Sequence, residues 1–92
     1  MGYYKPDCIY MLHVNGLNKS QCYYDYNNAC IKATEIIYEM GYPLDKIYSR
    51  YDINCRTHFY VDGQFSVDEN TGEKMAFEPL WIEQYTMKDY DY

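Results

Sequence analysis

Residues 25–40 constrain the fold of this chain most, because they describe an amphipathic helix with both ends marked. Its apolar positions recur at intervals of three and four residues: Tyr26, Ala29, Cys30, Ala33, Ile36, Ile37 and Met40. This period places them on one side of a helix, where another layer of the structure must cover them. Asp25 stands at the N-cap position, Gly41 follows the last turn, and Pro43 forbids continuation. We predict a helix over residues 25–40 that buries this stripe against a sheet.

The outer side of the predicted helix is mostly polar. It carries Lys32, Glu35, Tyr38 and Glu39. Ile31 is an apolar residue on the same side, and the helical pattern does not explain its position.

The segment before the helix predicts a β-hairpin. Residues 8–14 form a near-continuous apolar run, which is typical of a strand covered on at least one face. Asn15-Gly16 follows and favours a type I′ turn, and residues 19–24 can return as the second strand. The register stays open. A three-residue loop sets Tyr10 opposite Cys22, and a two-residue loop shifts every pair by one.

The segment after the helix predicts further strands. Residues 46–53 alternate loosely as an edge strand, with a helical turn over 43–48 as the competing interpretation. Residues 57–61 predict a strand, Asp62-Gly63 a second hairpin turn, and 64–67 its return. After a polar loop, residues 74–77 and 80–86 give further strand, interrupted at Pro79.

These elements predict one α+β domain over residues 1–92. One helix would lie across an antiparallel sheet of about four to five strands, in the order hairpin, helix, meander. Residues 1–6 and 87–92 lack an apolar period, and we expect frayed ends there.

Tyrosine content and charge distribution indicate a binding surface. The chain has 14 tyrosines and a net charge of −6. Residues 1–56 are neutral, whereas residues 57–92 hold the whole excess of acids: Asp62, Asp68, Glu69, Glu73, Glu78, Glu83, Asp89 and Asp91. Tyrosine is enriched at protein interfaces, and a one-sided acidic field attracts cationic surfaces. The predicted partner-binding residues are Tyr60, Asp62, Asp68, Glu69, Glu73, Glu78, Glu83 and Tyr85.

The sequence predicts no metal and no cofactor. The cysteines Cys8, Cys22, Cys30 and Cys55 form no C-x-x-C pair, and Cys55-x-x-His58 stands alone, so zinc spacing fails. We expect reduced, structural thiols. The run Asp68-x-Asn70-x-Gly72 resembles the start of a calcium loop, but its glycine is one position early. A polar turn explains the same residues.

Catalysis is not predicted either. His13 lies within the first strand, and His58 lies near Cys55, without a nucleophile motif or a phosphate-binding loop. The alternative function is single-stranded nucleic-acid binding, with Tyr48 and Tyr51 stacking on bases beside Arg50 and Arg56. The net charge argues against this alternative, because nucleic-acid sites need a cationic groove.

At the level of a class, the whole chain resembles the small, acidic, tyrosine-rich accessory proteins that bacteriophages make against host enzymes. These include anti-restriction and anti-CRISPR inhibitors and other host-takeover factors. The resemblance implies a non-catalytic inhibitor of a basic, nucleic-acid-handling host protein, acting through an acidic surface that can mimic DNA. The N-terminus has no signal-peptide pattern and no apolar run spans a membrane, so we expect the cytoplasm. The sequence leaves a homodimer open.

Overall fold

The described part of the chain, residues 8–17 and 20–86 of a computed structural model, contains one α-helix, one short 3₁₀ helix and seven strands. The helix is α1 (Tyr26–Glu39), and the 3₁₀ helix spans Leu44–Lys46. The strands are β1 (Cys8–Val14), β2 (Ser20–Tyr23), β3 (Ile47–Tyr51), β4 (Arg56–Val61), β5 (Phe65–Val67), β6 (Lys74–Ala76) and β7 (Leu80–Thr86). The expected frayed ends at 1–6 and 87–92 lie outside the described residues.

Five strands form one antiparallel sheet in the order β2-β1-β7-β4-β3, and β5 pairs with β6 in a separate two-stranded sheet. The helix packs on β1, β7 and β2. The predicted α+β class, with one helix on an antiparallel sheet, is therefore confirmed. Both interpretations of residues 43–53 are partly right, because a 3₁₀ turn leads directly into the edge strand β3.

The caps of α1 form as the sequence predicts. The Asp25 carboxylate accepts a hydrogen bond from the Asn27 backbone N–H at 3.0 Å, and Gly41 adopts a φ of +106°. Ala29, Ala33 and Ile37 are fully buried, while Cys30 and Ile36 pack against the core at its edge. Met40 was expected in the core, but it is 44% exposed. The helix ends at Glu39, so Met40 lies at the cap, beyond the last turn that faces the sheet.

The core lies between α1 and the central strands. Leu12 of β1, Phe59 and Val61 of β4, and Leu80 and Ile82 of β7 are buried against the helix. These residues alternate along their strands, so each strand gives one face to the core. The intervening side chains point to the opposite face.

The first hairpin forms with a different turn and register from those expected. The Leu17 N–H donates to the Val14 carbonyl at 3.0 Å, and Gly16 has a φ of +89°. Asn15 does not adopt positive φ, so the turn has the type II pattern rather than type I′. Tyr10 lies opposite Tyr23 and His13 opposite Ser20, a register that neither short loop produces.

The second predicted hairpin is wrong in its pairing. A turn does form at Asp62-Gly63, where the Gln64 N–H donates to the Val61 carbonyl at 3.1 Å. However, β5 pairs with β6, and β7 takes the place beside β4. The strand beside β4 has one face buried against α1, so that face must be apolar. Leu80 and Ile82 of β7 supply buried apolar side chains there, whereas every residue of β5 is exposed.

Candidate binding surface on the distal face of the sheet

The sheet face that points away from α1, here called the distal face, gathers side chains from four strands. Cross-strand register aligns them in rows, with His13 and His58 on either side of Trp81. Arg56 and Met11 flank Glu83 in the same way. The distal face comprises Met11, His13, Tyr48, Arg50, Arg56, His58, Tyr60, Trp81, Glu83 and Tyr85.

Aromatic rings on the distal face form two stacked groups. The Trp81 ring stacks on the His13 imidazole, with centroids 5.3 Å apart and planes 23° apart. Tyr60 stacks on Tyr48 at 5.4 Å and on the His58 imidazole at 6.4 Å. The Trp81–His13 and Tyr60–Tyr48 pairs arise because the register sets these residues directly opposite each other on neighbouring strands, whereas His58 and Tyr60 are two residues apart on one face of β4. The result is a rigid, half-buried aromatic surface.

Glu83 lies among polar groups on the distal face. One carboxylate oxygen, Oε1, accepts a hydrogen bond from Trp81 Nε1 at 3.2 Å, and Oε2 accepts one from the Tyr85 hydroxyl at 3.1 Å. Arg56 Nε lies 3.7 Å from Oε2, and His13 Nε2 lies 3.4 Å from Oε1 without hydrogen-bond geometry. Burial alone would raise the Glu83 pKa, but these donors and cations lower it. Glu83 is therefore ionised at neutral pH.

His58 bridges two carboxylates on the distal face. Its Nδ1 lies 2.6 Å from Glu78 Oε2, and its Nε2 lies 2.6 Å from Asp52 Oδ2. Both ring nitrogens can donate at once only in the imidazolium form. Burial alone would lower the His58 pKa, but the two carboxylates raise it. We call this arrangement the His58 clamp.

A shallow cleft of about 250 Å³ opens between these two groups. It is lined by Arg56, His58, Glu78, Trp81 and Glu83. The Trp81 side chain and two carboxylates therefore border one depression, and each carboxylate already has a cationic neighbour. This combination suits a ligand that offers both a flat cationic group and apolar area.

One contact between the distal face and the edge strand β2 has the residue types of a hydrolytic site. Ser20 Oγ lies 2.7 Å from His13 Nδ1, and Glu83 lies beyond the opposite ring nitrogen. Ser20 and His13 are direct cross-strand neighbours in the β1–β2 pairing. The sheet register alone brings them together, and such polar pairs are a common form of cross-strand contact.

The predicted partner-binding residues fall into three places. Tyr60, Glu83 and Tyr85 lie on the distal face, and Glu78 reaches it through His58. Asp62 lies in the turn after β4, where its N–H donates to the Lys46 carbonyl at 2.7 Å. Three further acids lie in or beside the loop that joins β5 to β6: Asp68, Glu69 and Glu73.

Strands β5 and β6 and their joining loop form an exposed ribbon, which we call the acidic ribbon (residues 65–76). All six of its strand residues are exposed, including Phe65 and Val67, and the Lys74 ammonium lies 4.8 Å from the Phe65 ring centroid. Asp68 accepts a hydrogen bond from the Asn70 N–H at 2.8 Å, which is an Asx turn. Within residues 8–17 and 20–86, no group of three or more His, Cys, Asp or Glu side chains is arranged so that it could hold a metal ion.

The residues predicted for nucleic-acid binding lie on two different faces of the sheet. Tyr48, Arg50 and Arg56 lie on the distal face, in register with Tyr60, His58 and Glu83. Tyr51 pairs with the buried Thr57, so it projects from the other face.

The sequence analysis missed Trp81, Asp52 and His13 as parts of this surface. For Trp81 a signal was present, since the single tryptophan alternates with two apolar residues in a predicted strand and must face away from them. Asp52 carried no such signal, because only the folded loop brings it to His58.

Comparison of the chain with protein-family models, with curated proteins and with solved structures found no match to any of them. The helices of the described ranges include none that is long and apolar enough to cross a membrane.

Proposed function

We propose that this protein is a non-catalytic binding protein that grips a basic surface of another protein with its distal face. The observation that carries the proposal is the position of the Glu78 and Glu83 carboxylates around the half-buried Trp81 ring. Aromatic rings and carboxylates arranged in this way bind arginine and lysine side chains through stacking, cation–π contacts and charge-assisted hydrogen bonds.

The aromatic residues supply the binding energy in this proposal. Trp81, Tyr60 and Tyr48 are held by ring contacts to neighbouring strands, so little side-chain entropy is lost when a partner covers them. Trp and Tyr are also the residue types that most often dominate binding free energy.

The acidic ribbon supplies long-range attraction. Its Glu69 and Glu73 are exposed, and the chain as a whole carries −6. Such a field raises the rate of encounter with a cationic partner and repels nucleic acid. A protein that handles nucleic acid has a cationic surface of this kind, and an acidic surface can occupy it in place of phosphates.

The biological role that we propose is a bacteriophage-type inhibitor of a nucleic-acid-handling host protein, acting in the host cytoplasm. Its support is the small size, the acidity and the tyrosine content of the chain. The homodimer that the sequence leaves open would use a different surface, the outer side of α1.

The test is capture from a bacterial lysate followed by kinetics with the purified partner. Trp81→Ala and Tyr60→Ala should speed dissociation by about tenfold or more, because buried aromatic anchors act mainly on the off-rate. Tyr51→Ala is the matched control, since Tyr51 is exposed and projects from the other face of the sheet. Equal dissociation rates for all three variants would refute the assignment of the distal face.

A second candidate function is single-stranded nucleic-acid binding by the same face. The observation that favours it is the alignment of Tyr48 and Arg50 with Tyr60 and His58, which places stacking rings beside a guanidinium. In that case the isolated protein should shift an oligonucleotide in a gel at physiological salt, and Arg50→Ala should abolish the shift. A shift of this kind would overturn the first proposal, which predicts none.

A further inference from the structure

The outer side of α1 forms an apolar groove that is separate from the distal face. Its volume is about 450 Å³, and its lining is almost entirely apolar. It is lined by Cys30, Ile31, Thr34, Glu35, Tyr38 and Leu44. Ile31 is 62% exposed, and Tyr38 and Leu44 are each 57% exposed. The amphipathic pattern of α1 does not explain why Ile31 is apolar. In the structure, Ile31 belongs to a second apolar stripe, which lines this groove.

Two exposed apolar residues of the stripe, Ile31 and Tyr38, are placed symmetrically along the helix. Ile31 and Tyr38 lie seven residues apart, so they sit on one side of α1 and at equal distances from the Thr34–Glu35 peptide. A two-fold axis through that point, relating two antiparallel copies of α1, would set Ile31 of each copy against Tyr38 of the other. A surface that matches itself in this way is what an isologous dimer requires.

A cation and two anions lie beside the stripe on α1: Lys32, Glu35 and Glu39. Lys32 and Glu39 are also seven residues apart and flank the stripe on one side. The two-fold operation places this flank of one copy beside the same flank of the other copy. It therefore brings Lys32 of one copy between Glu35 and Glu39 of the other. Opposite charges at such flanking positions select the partner and orientation of paired helices.

We propose that two copies of this chain associate through the α1 groove, with antiparallel helices, Ile31–Tyr38 contacts and Lys32–Glu39 ion pairs across the two-fold axis. This interface leaves both distal faces and both acidic ribbons free. It does not depend on the function proposed for the distal face. A dimer would present that face twice, which raises avidity for a partner with repeated sites.

A charge-exchange experiment tests this pairing with the full chain. Lys32→Glu places acids against acids, and Glu39→Lys places bases against bases, so each variant alone should dimerise about tenfold or more weakly than the native chain. Mixing the two variants restores both ion pairs, and an equimolar mixture should form a heterodimer. Sedimentation velocity over a concentration series measures all three samples, with circular dichroism as the check on folding.

Two further variants locate the interface. Ile31→Ser should convert the native dimer to monomer, because it removes the apolar contact at both symmetry-related positions. Phe65→Ser is the matched control on the acidic ribbon, where the side chain is similarly exposed, and it should leave the dimer intact. The proposal is overturned if the native chain sediments as a monomer throughout, or if Ile31→Ser and the charge variants leave a dimer unchanged.

Discussion

His58 and Asp52 are joined by a 2.6 Å contact between the imidazole Nε2 and the carboxylate Oδ2. Asp52 begins the loop between β3 and β4, and the same side chain accepts hydrogen bonds from the N–H groups of Asn54 and Arg56. This contact lowers the Asp52 pKa, and with Glu78 on the other side of the ring it raises that of His58. One imidazolium thus ties the β3–β4 loop to the segment that leads into β7.

The His58 clamp predicts a loss of stability as the pH rises. Because the folded pKa of His58 is raised, its contribution is complete below the usual value of 6.5 and is lost as the pH rises through the folded pKa. Asp52, whose pKa is lowered, loses its contribution only below 3.8, as the pH falls through its folded pKa. Thermal unfolding followed by circular dichroism across this range should show the melting temperature falling on the alkaline side.

Histidine variants identify the group responsible. His58→Asn should remove most of the alkaline loss, whereas His13→Asn should retain it, because His13 takes no part in the clamp. A melting temperature that depends equally on pH in both variants would contradict the assignment to His58.

Substitutions in α1 should separate buried from capping positions. Ile37→Ala should lower the free energy of unfolding by about 2–5 kcal/mol, since the Ile37 side chain is fully buried. Met40→Ala should change it by less than about 0.5 kcal/mol, because Met40 is exposed at the cap. Denaturant unfolding measures both, and a similar loss in the two variants would show that the helix stripe extends to Met40 after all.

Cys55 should tolerate glycine better than any β-branched residue. It has a φ of +61°, in the left-handed region, and its carbonyl accepts a hydrogen bond from the Gln84 N–H at 3.0 Å. Cys55→Gly should keep or raise the melting temperature, whereas Cys55→Val should lower stability by about 1–2 kcal/mol. The reverse order would mean that the thiol itself stabilises the loop.

Neither a chelator nor a mild reductant should change the melting temperature. The four cysteines are free, and burial raises the pKa of the Cys30 thiol, which keeps it protonated. A drop of several degrees with the chelator would point first to Cys55 and His58, and a drop with the reductant would reveal a disulfide.

Charge reversal on the acidic ribbon should slow association with the basic partner and leave dissociation unchanged. Glu69→Lys combined with Glu73→Lys changes exposed side chains, and the effect should shrink at high salt because of screening. The sequence also predicts Glu78 as a partner-binding residue. It should not be replaced by lysine in this experiment, since a lysine there would face His58 and break the clamp. Stopped-flow association measures the rate, and an unchanged rate would exclude steering by the ribbon.

The amino-acid sequence by itself determined the local elements of this protein. The α1 stripe, its Asp25 and Gly41 caps and the apolar alternation of β4 and β7 all depend on neighbours within a few residues, so short-range pattern predicts them. The α+β class followed, because one helix with one apolar side needs one sheet.

The tertiary structure alone decided which strands pair and which side chains meet. Residues 80–86 pair with β4 in the position predicted for residues 64–67. Burial of Leu80 and Ile82 against α1 stabilises this pairing, which the exposed residues of β5 could not do. Trp81 reached His13 and His58 through that non-local pairing, and Asp52 and Glu78 met on one imidazole from distant parts of the chain. Such contacts depend on sheet order and register, which no local pattern encodes.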